Sequence, residues 1–120
     1  MNKKTLVLGA STKESRYSNM AIRRLRGQNI DVEAFGLKTG NVLDVSIDTE
    51  RKEYDDLDTV TLYLNPKNQK DYYDYLLQLK PKRVIFNPGT ENPELISLLR
   101  ENGIQSEIAC TLVLLSMNQY

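Results

Sequence analysis

The chain has 120 residues, 40% of them hydrophobic, which is enough for one domain with a buried core. Its 16 basic and 16 acidic residues cancel, so no overall field attracts nucleic acid or an anionic membrane, and any anion site must be local. Histidine, the commonest general base and metal ligand, is absent. The single cysteine excludes an internal disulfide and is typical of a cytoplasmic protein. We find no targeting segment and no run of about 18 apolar residues, so the protein is expected to be soluble.

Residues 5–25 have the pattern of a phosphate-binding first unit of an α/β domain. The apolar run 6–8 predicts a buried parallel strand, and the small residues Gly9 and Ala10 end it. A polar loop, 11–17, then leads to a helix. Free N–H groups at such a helix start, together with the positive end of its dipole, favour an anion.

The start of this helix is predicted at Ser18 and Asn19, which are capping-type residues followed by apolar residues at helical spacing. The unit is not a complete dinucleotide fingerprint. Ser11 and Glu14 stand where GxGxxG requires glycine.

The rest of the chain alternates between predicted strands and helices. Further strands are predicted at residues 30–35, 59–64, 82–86 and 104–109. Helices are predicted at residues 68–79 and after Asn92, where Pro93 takes the first helical position and Gly103 the left-handed C-terminal position, with a helix or turn at 110–116. Residues 42–47 are predicted to be a short connecting piece, and 49–58 a solvated excursion or short helix.

This alternation predicts a single domain over residues 1–120. The expected fold is α/β: a doubly wound, Rossmann-like, three-layer fold with a five-stranded parallel sheet of order 3-2-1-4-5. Such folds bind ligands beyond the carboxyl ends of the strands, where the strand order reverses. In this order the reversal lies between strands one and four, bordered by loops 9–19 and 87–92 and flanked by loops 36–40 and 64–68.

Several motifs fall in or beside these loops: VLGAS at 7–11, YSN at 17–19, Lys38, FNPGTEN at 86–92 and ACT at 109–111. With these motifs the chain resembles, over nearly its whole length, the small stand-alone CoA-binding domain proteins. Those proteins are Rossmann-like and related to the CoA-binding domain of the succinyl-CoA synthetase alpha subunit. The synthetase's phosphorylated histidine lies in a domain outside the resemblance, so ligase chemistry is not implied.

The resemblance implies that the turn 9–11 and the helix start 17–19 meet the diphosphate of CoA. Lys38 would lie near the adenosine ribose and its 3′-phosphate, and loops 64–66 and 87–89 would line the adenine or pantetheine path. Lys13 and Arg16 would add charge. The candidate ligand-binding residues are Gly9, Ala10, Ser11, Lys13, Arg16, Tyr17, Ser18, Asn19, Phe35, Lys38, Leu64, Asn65, Pro66, Asn87, Pro88, Gly89 and Asn92.

The function predicted first is a non-catalytic binding module that holds coenzyme A or an acyl-CoA through its diphosphate, with no catalytic residue and no metal ligand. The alternative is an NAD(P)- or other nucleotide-binding domain that acts as an enzyme or as a subunit of a larger ligase or reductase. The missing glycines argue against NAD(P), as does the second strand's end at Phe35 and Gly36 without an acidic residue, although Glu33 lies nearby. The sequence leaves open the acyl group, the oligomeric state and the need for a protein partner.

Overall fold

In the computed structural model, which describes residues 2–120, a seven-stranded sheet runs through the molecule. The strands are β1 (Thr5–Ala10), β2 (Val32–Gly36), β3 (Gly40–Val42), β4 (Val45–Asp48), β5 (Thr59–Leu62), β6 (Arg83–Phe86) and β7 (Gln105–Ile108). The helices are α1 (Tyr17–Gly27), α2 (Pro66–Gln69), α3 (Tyr73–Leu79), α4 (Pro93–Glu101) and α5 (Thr111–Ser116), with a 3₁₀ turn, Lys70–Tyr72, between α2 and α3. None of the helices described is long and apolar enough to cross a membrane.

Side chains of the central strands alternate between two buried cores, one on each face of the sheet. On one face Leu8 of β1 packs in a cluster with Leu95 of α4. On the other, Val7 packs in a cluster with Ile22 of α1 and Leu115 of α5. Helices therefore cover both faces, which confirms the predicted α/β, Rossmann-like arrangement around a mostly parallel sheet.

The strand order is β3-β4-β2-β1-β5-β6-β7, with every neighbouring pair parallel except β3 and β4. The prediction of five strands in the order 3-2-1-4-5 is therefore wrong. The third predicted strand, β5, pairs with β1 and not with β2. The place beside β2 is taken by β4, so β5 must pair with the other side of β1.

The extra strands, β3 and β4, include most of residues 42–47, which were expected to be a connecting piece. They contribute to an antiparallel hairpin that turns at Leu43, where φ is +54°. Val42, Val45 and Ile47 are buried against the core of the α1 face. Their burial explains why so short and polar a segment forms strands.

Residues 49–58 contain neither helix nor strand and are mostly exposed, so the predicted solvated excursion is found in place of the short helix, with two buried exceptions. Tyr54 and Leu57 are buried in the core of the α4 face. The Tyr54 hydroxyl also donates a hydrogen bond to Asp48 Oδ2 over 2.6 Å. This segment is therefore held on the sheet by its own core residues.

Predictions for the helix ends meet different outcomes. Asn92 caps α4 by accepting from the Leu95 N–H over 3.2 Å, and Gly103 follows that helix with φ +74°, as predicted. The helix start predicted at residues 17–19 is confirmed, since α1 begins at Tyr17. The capping role predicted for Ser18 is wrong, because the residue before the helix is Arg16, which makes no side-chain cap. Ser18 lies buried in the first turn of α1.

Candidate functional site

A cleft of about 440 Å³ opens beyond the carboxyl ends of β1, β2 and β5. Its lining residues are Gly9, Ala10, Ser11, Thr12, Lys13, Arg16, Phe35, Gly36, Leu37, Lys38, Tyr63, Leu64, Asn68 and Tyr72. The strand order reverses here, because β2 and β5 lie on opposite sides of β1. The predicted point of reversal, between the first and fourth predicted strands, was wrong. Those strands are β1 and β6, and β5 lies between them.

Gly9 lets the end of β1 lie directly against the end of β5. Its φ is +101°, and a Cβ added there would lie 3.0 Å from both the carbonyl carbon and the oxygen of Tyr63. The missing side chain is therefore required by packing between two strand ends. Contact between Gly9 and a ligand stays a prediction.

The loop after β1 is held closed by Asn19. The Asn19 Nδ2 group donates to the Ser11 carbonyl oxygen over 2.9 Å, and its Oδ1 accepts from Arg23 Nε over 2.8 Å. The Lys13 N–H donates to Ser11 Oγ over 3.1 Å. Since Asn19 is fully buried, it shapes the loop from beneath and does not line the cleft.

The start of α1 keeps backbone donors available. Among residues 2–120, no backbone carbonyl accepts from the N–H groups of Tyr17 and Ser18. Arg16, directly before the helix, lines the cleft. The Tyr17 side chain is 69% exposed and lies outside the cleft.

The cleft is lined by cations and by no carboxylate. Lys13, Arg16 and Lys38 line it, and none of them forms an ion pair within the described part of the chain. A chain of zero formal charge thus has a locally positive cleft. This local positive charge favours an anion. It agrees with the expectation that, in a chain of balanced charge, any anion site must be local.

The wall on the β2 side is aromatic. Phe35 is buried, and its ring meets the Tyr72 ring edge-on with centroids 5.7 Å apart. Gly36 follows, where an added Cβ would collide with the Ala10 carbonyl oxygen. The residues after Phe35 therefore run close against the end of β1 and carry Lys38 to the cleft.

Tyr63 is the other large aromatic residue of the cleft. Burial raises its pKa to about 12, although the nearby Thr111 and Thr61 hydroxyls oppose the shift. The phenol therefore stays protonated at neutral pH and cannot serve as a general base. Among residues 2–120, no group of three or more His, Cys, Asp or Glu side chains could hold a metal ion.

The predicted site residue Asn87 lies outside the cleft, one strand further along. Its Nδ2 donates to Thr61 Oγ1 over 2.6 Å and to the Leu62 carbonyl oxygen over 2.8 Å. Its Oδ1 accepts from the Thr111 N–H over 2.9 Å. Asn87 thus joins the ends of β5 and β6 to the start of α5.

Asn92 also lies outside the cleft, in a buried network that includes Gln69. Asn92 Nδ2 donates to Gln69 Oε1 and to the Tyr73 hydroxyl, each over 2.9 Å. Gln69 Nε2 donates to the carbonyl oxygens of Leu64 and Thr90, each over 2.8 Å. This brace links the loops after β5 and β6. Gln69 was not predicted to matter, because in the sequence it looks like one of several polar residues in a helix.

The structure therefore divides the predicted site residues. The cleft is lined by Gly9, Ala10, Ser11, Lys13, Arg16, Phe35, Lys38 and Leu64. The lining does not include Tyr17, Ser18, Asn19, Asn65, Pro66, Asn87, Pro88, Gly89 and Asn92. Lining residues that the sequence analysis did not select are Thr12, Gly36, Leu37, Tyr63, Asn68 and Tyr72. Their position in the sequence could have identified them, since each lies near a strand end or in the segment after β5.

Comparison with known proteins adds a family and a fold. A family model described as a CoA binding domain matches residues 3–116. The crystal structure of an uncharacterized protein is similar over 100% of this chain and 99% of its own, with 51% sequence identity and a TM-score of 0.97. No match is found among curated proteins.

More distant structures share the fold alone. A protein from Thermus thermophilus is 23% identical and has a TM-score of 0.87, over 99% of this chain and 91% of its own. The dinucleotide-forming acetyl-coenzyme A synthetase 1 from Ca. Korarchaeum cryptofilum, solved with phosphate and ADP, is 15% identical with a TM-score of 0.70. That match covers 87% of this chain and 25% of the synthetase.

Proposed function

Because the chain belongs to the CoA-binding domain family, we propose that it binds coenzyme A or an acyl-CoA in the cleft beyond β1, β2 and β5. The observation that carries this proposal is the lining by Lys13, Arg16 and Lys38 without any carboxylate. The diphosphate and the 3′-phosphate are the anionic groups of CoA. A positive cleft in a chain of zero formal charge suits such a ligand.

The diphosphate would lie over the turn 9–11 and the start of α1. Backbone N–H groups of Tyr17 and Ser18 are available there, and the positive end of the helix dipole adds to the attraction. Lys13 and Arg16 would supply charge beside the same phosphates. The buried Asn19 side chain would contribute only by holding this backbone in place, through its hydrogen bond to the Ser11 carbonyl oxygen. The Ser18 side chain is buried as well and would make no contact with the ligand.

The adenosine end of the ligand would lie on the β2 side, near Phe35, Lys38 and Tyr72. This assignment follows the family resemblance for Lys38 and the aromatic wall for the rings. Leu64 would line the remaining path. Loop 87–89 would not contact the ligand directly, because it lies beyond β5 and outside the cleft lining.

Binding is tested by thermal unfolding in the presence of CoA, with NAD as the comparison ligand. For a dissociation constant on the order of 10 μM, 1 mM CoA should raise the free energy of unfolding by roughly 2.7 kcal/mol, and the melting temperature by several degrees. We expect NAD to do much less. A melting response to NAD as large as that to CoA would instead favour a dinucleotide-binding function.

The matched charge test replaces Lys13 and Arg16 together by glutamine. CoA affinity should fall roughly tenfold, because two charge-assisted contacts to phosphate are lost. The control replaces Lys82 and Arg100, which lie just before β6 and in the last turn of α4, at the end of the strands opposite the cleft. An equal loss of affinity in the control would show that overall charge, and not the cleft, attracts the ligand.

We further propose that the protein alone does not catalyse hydrolysis of, or acyl transfer from, CoA thioesters. Hydrolysis or acyl transfer needs a nucleophile or activated water and a group that moves protons near neutral pH. The cleft offers no carboxylate, the chain has no histidine, and Tyr63 stays protonated because burial raises its pKa to about 12. Acetyl-CoA incubated with the protein should therefore release thiol at the rate of buffer alone, followed with a chromogenic thiol reagent. Thiol release that saturates with substrate would establish an enzyme.

A further inference from the structure

Arg51 is held against the aromatic wall of the cleft. Its guanidinium carbon lies 4.3 Å from the centroid of the Tyr72 ring and 5.7 Å from that of Tyr75. Tyr72 lines the cleft and packs against Phe35, which lines it too. Stacking on a tyrosine face orients a guanidinium and limits its motion. A cation is therefore placed beside the cleft, on its β2 side.

Within residues 2–120 this guanidinium has no hydrogen-bond or ion-pair partner, although acidic residues surround it in the sequence. Asp48, Glu50, Glu53, Asp55 and Asp56 all lie within five residues of it. The neighbouring lysine pairs with Asp48 over 2.9 Å, whereas Arg51 pairs with no carboxylate within residues 2–120. Its N–H donors remain available, in a planar fork that matches two phosphate oxygens.

The segment that carries Arg51 is anchored on both sides. The Tyr75 hydroxyl donates to the Lys52 carbonyl oxygen, next to Arg51 in the chain. Tyr54 donates to Asp48 and is itself buried. Since these contacts exist without ligand, little ordering is needed before the guanidinium can bind an anion.

We infer that Arg51 binds the phosphomonoester on the adenosine ribose, the 3′-phosphate of CoA, and so selects CoA over ligands that lack it. The inference rests on the proposed function. The diphosphate would be served by the β1 turn and the start of α1. Arg51 lies instead on the β2 side, stacked on Tyr72, which lines the cleft where the adenosine would be.

The test is titration of CoA and dephospho-CoA, which lacks only the 3′-phosphate, into wild type, Arg51→Gln and Arg51→Lys. In Arg51→Gln the affinity for CoA should fall roughly tenfold, while that for dephospho-CoA should change less than about twofold. Lysine keeps the charge but loses the fork and the stacking, so Arg51→Lys should lose about threefold for CoA. Arg100→Gln, with the same change of charge in the last turn of α4, should bind both ligands like wild type.

The outcomes separate the two proposals. If wild type binds both ligands and Arg51→Gln weakens them equally, or weakens neither, the role of Arg51 is wrong and the CoA-binding function stands. If wild type binds neither ligand, the proposed function fails and this inference fails with it. Because Arg51 is exposed, the variants should fold like wild type, which circular dichroism verifies before affinities are compared.

Discussion

Replacing Gly36 by alanine should lower the free energy of unfolding by about 3–4 kcal/mol. A Cβ at this position would collide with the carbonyl oxygen of Ala10 and lie 3.2 Å from Ile47 Cγ2. The first of these atoms is backbone of the adjacent strand, so no side-chain rotation relieves the clash. Strands β1 and β2 would have to separate at their carboxyl ends, where they are paired through Ala10 and Gly36.

Urea unfolding of Gly36→Ala measures this effect, with Gly27→Ala as the control variant. Nothing lies within 4 Å of a Cβ added at Gly27, which is the last residue of α1. Alanine there should leave stability unchanged or raise it by about 0.5–1 kcal/mol, because it restricts the unfolded chain. If both variants unfold at the wild-type midpoint, the close approach of β1 and β2 is not a requirement of the fold.

The consequence of this approach for the site is specific. Ala10, Gly36 and Lys38 all line the cleft, so separating the ends of β1 and β2 would move one wall relative to the other. We therefore expect the fraction of Gly36→Ala that remains folded to bind CoA more weakly than wild type. Gly36 would support the site through backbone position and not through a contact of its own.

The strands and helices were largely predictable because their signals are local. The helix after β6 begins where Asn92 and Pro93 predict it and ends before Gly103, since capping and left-handed backbone depend on a few adjacent residues. Strand order is not a local property. Whether β5 pairs with β1 or β2 depends on what else lies beside β2, and the short alternation of Val42, Val45 and Ile47 was too polar to predict the hairpin found there.

The location of the site was more predictable from the sequence than the individual side chains that line it. Turn residues after the strands predicted a site bordered by loops 9–19 and 87–92 and flanked by loops 36–40 and 64–68. The cleft is lined from three of these loops, and loop 87–92 is outside its lining. Polarity alone did not reveal which polar side chains would face solvent and which would join strands. Gln69 and Arg51 carry no motif, and their surroundings come from residues on other elements.

Asn87 is the clearest instance of this ambiguity, since its motif suggested a ligand contact whereas its side chain is buried among protein groups. The residue is 2% exposed, and all three hydrogen bonds of its side chain are made to other elements of the chain. Removing it would leave the Leu62 carbonyl oxygen and the Thr111 N–H without their partner. Each buried polar group left unsatisfied costs about 1–3 kcal/mol.

Asn87→Ala should therefore lower the free energy of unfolding by about 3 kcal/mol, with water entering the space and recovering part of the loss. CoA affinity of the folded protein should stay within about twofold of wild type, because Asn87 lies outside the cleft lining. Urea unfolding measures the first quantity and calorimetric titration at low temperature the second. Pro88→Ala, at the adjacent exposed residue, is the matched control and should lower the free energy of unfolding by only about 0.4–1 kcal/mol, because the unfolded chain gains freedom. A stable Asn87→Ala protein that has lost CoA affinity would contradict this account, since it would make Asn87 a ligand-binding residue and place the loop after β6 in the site.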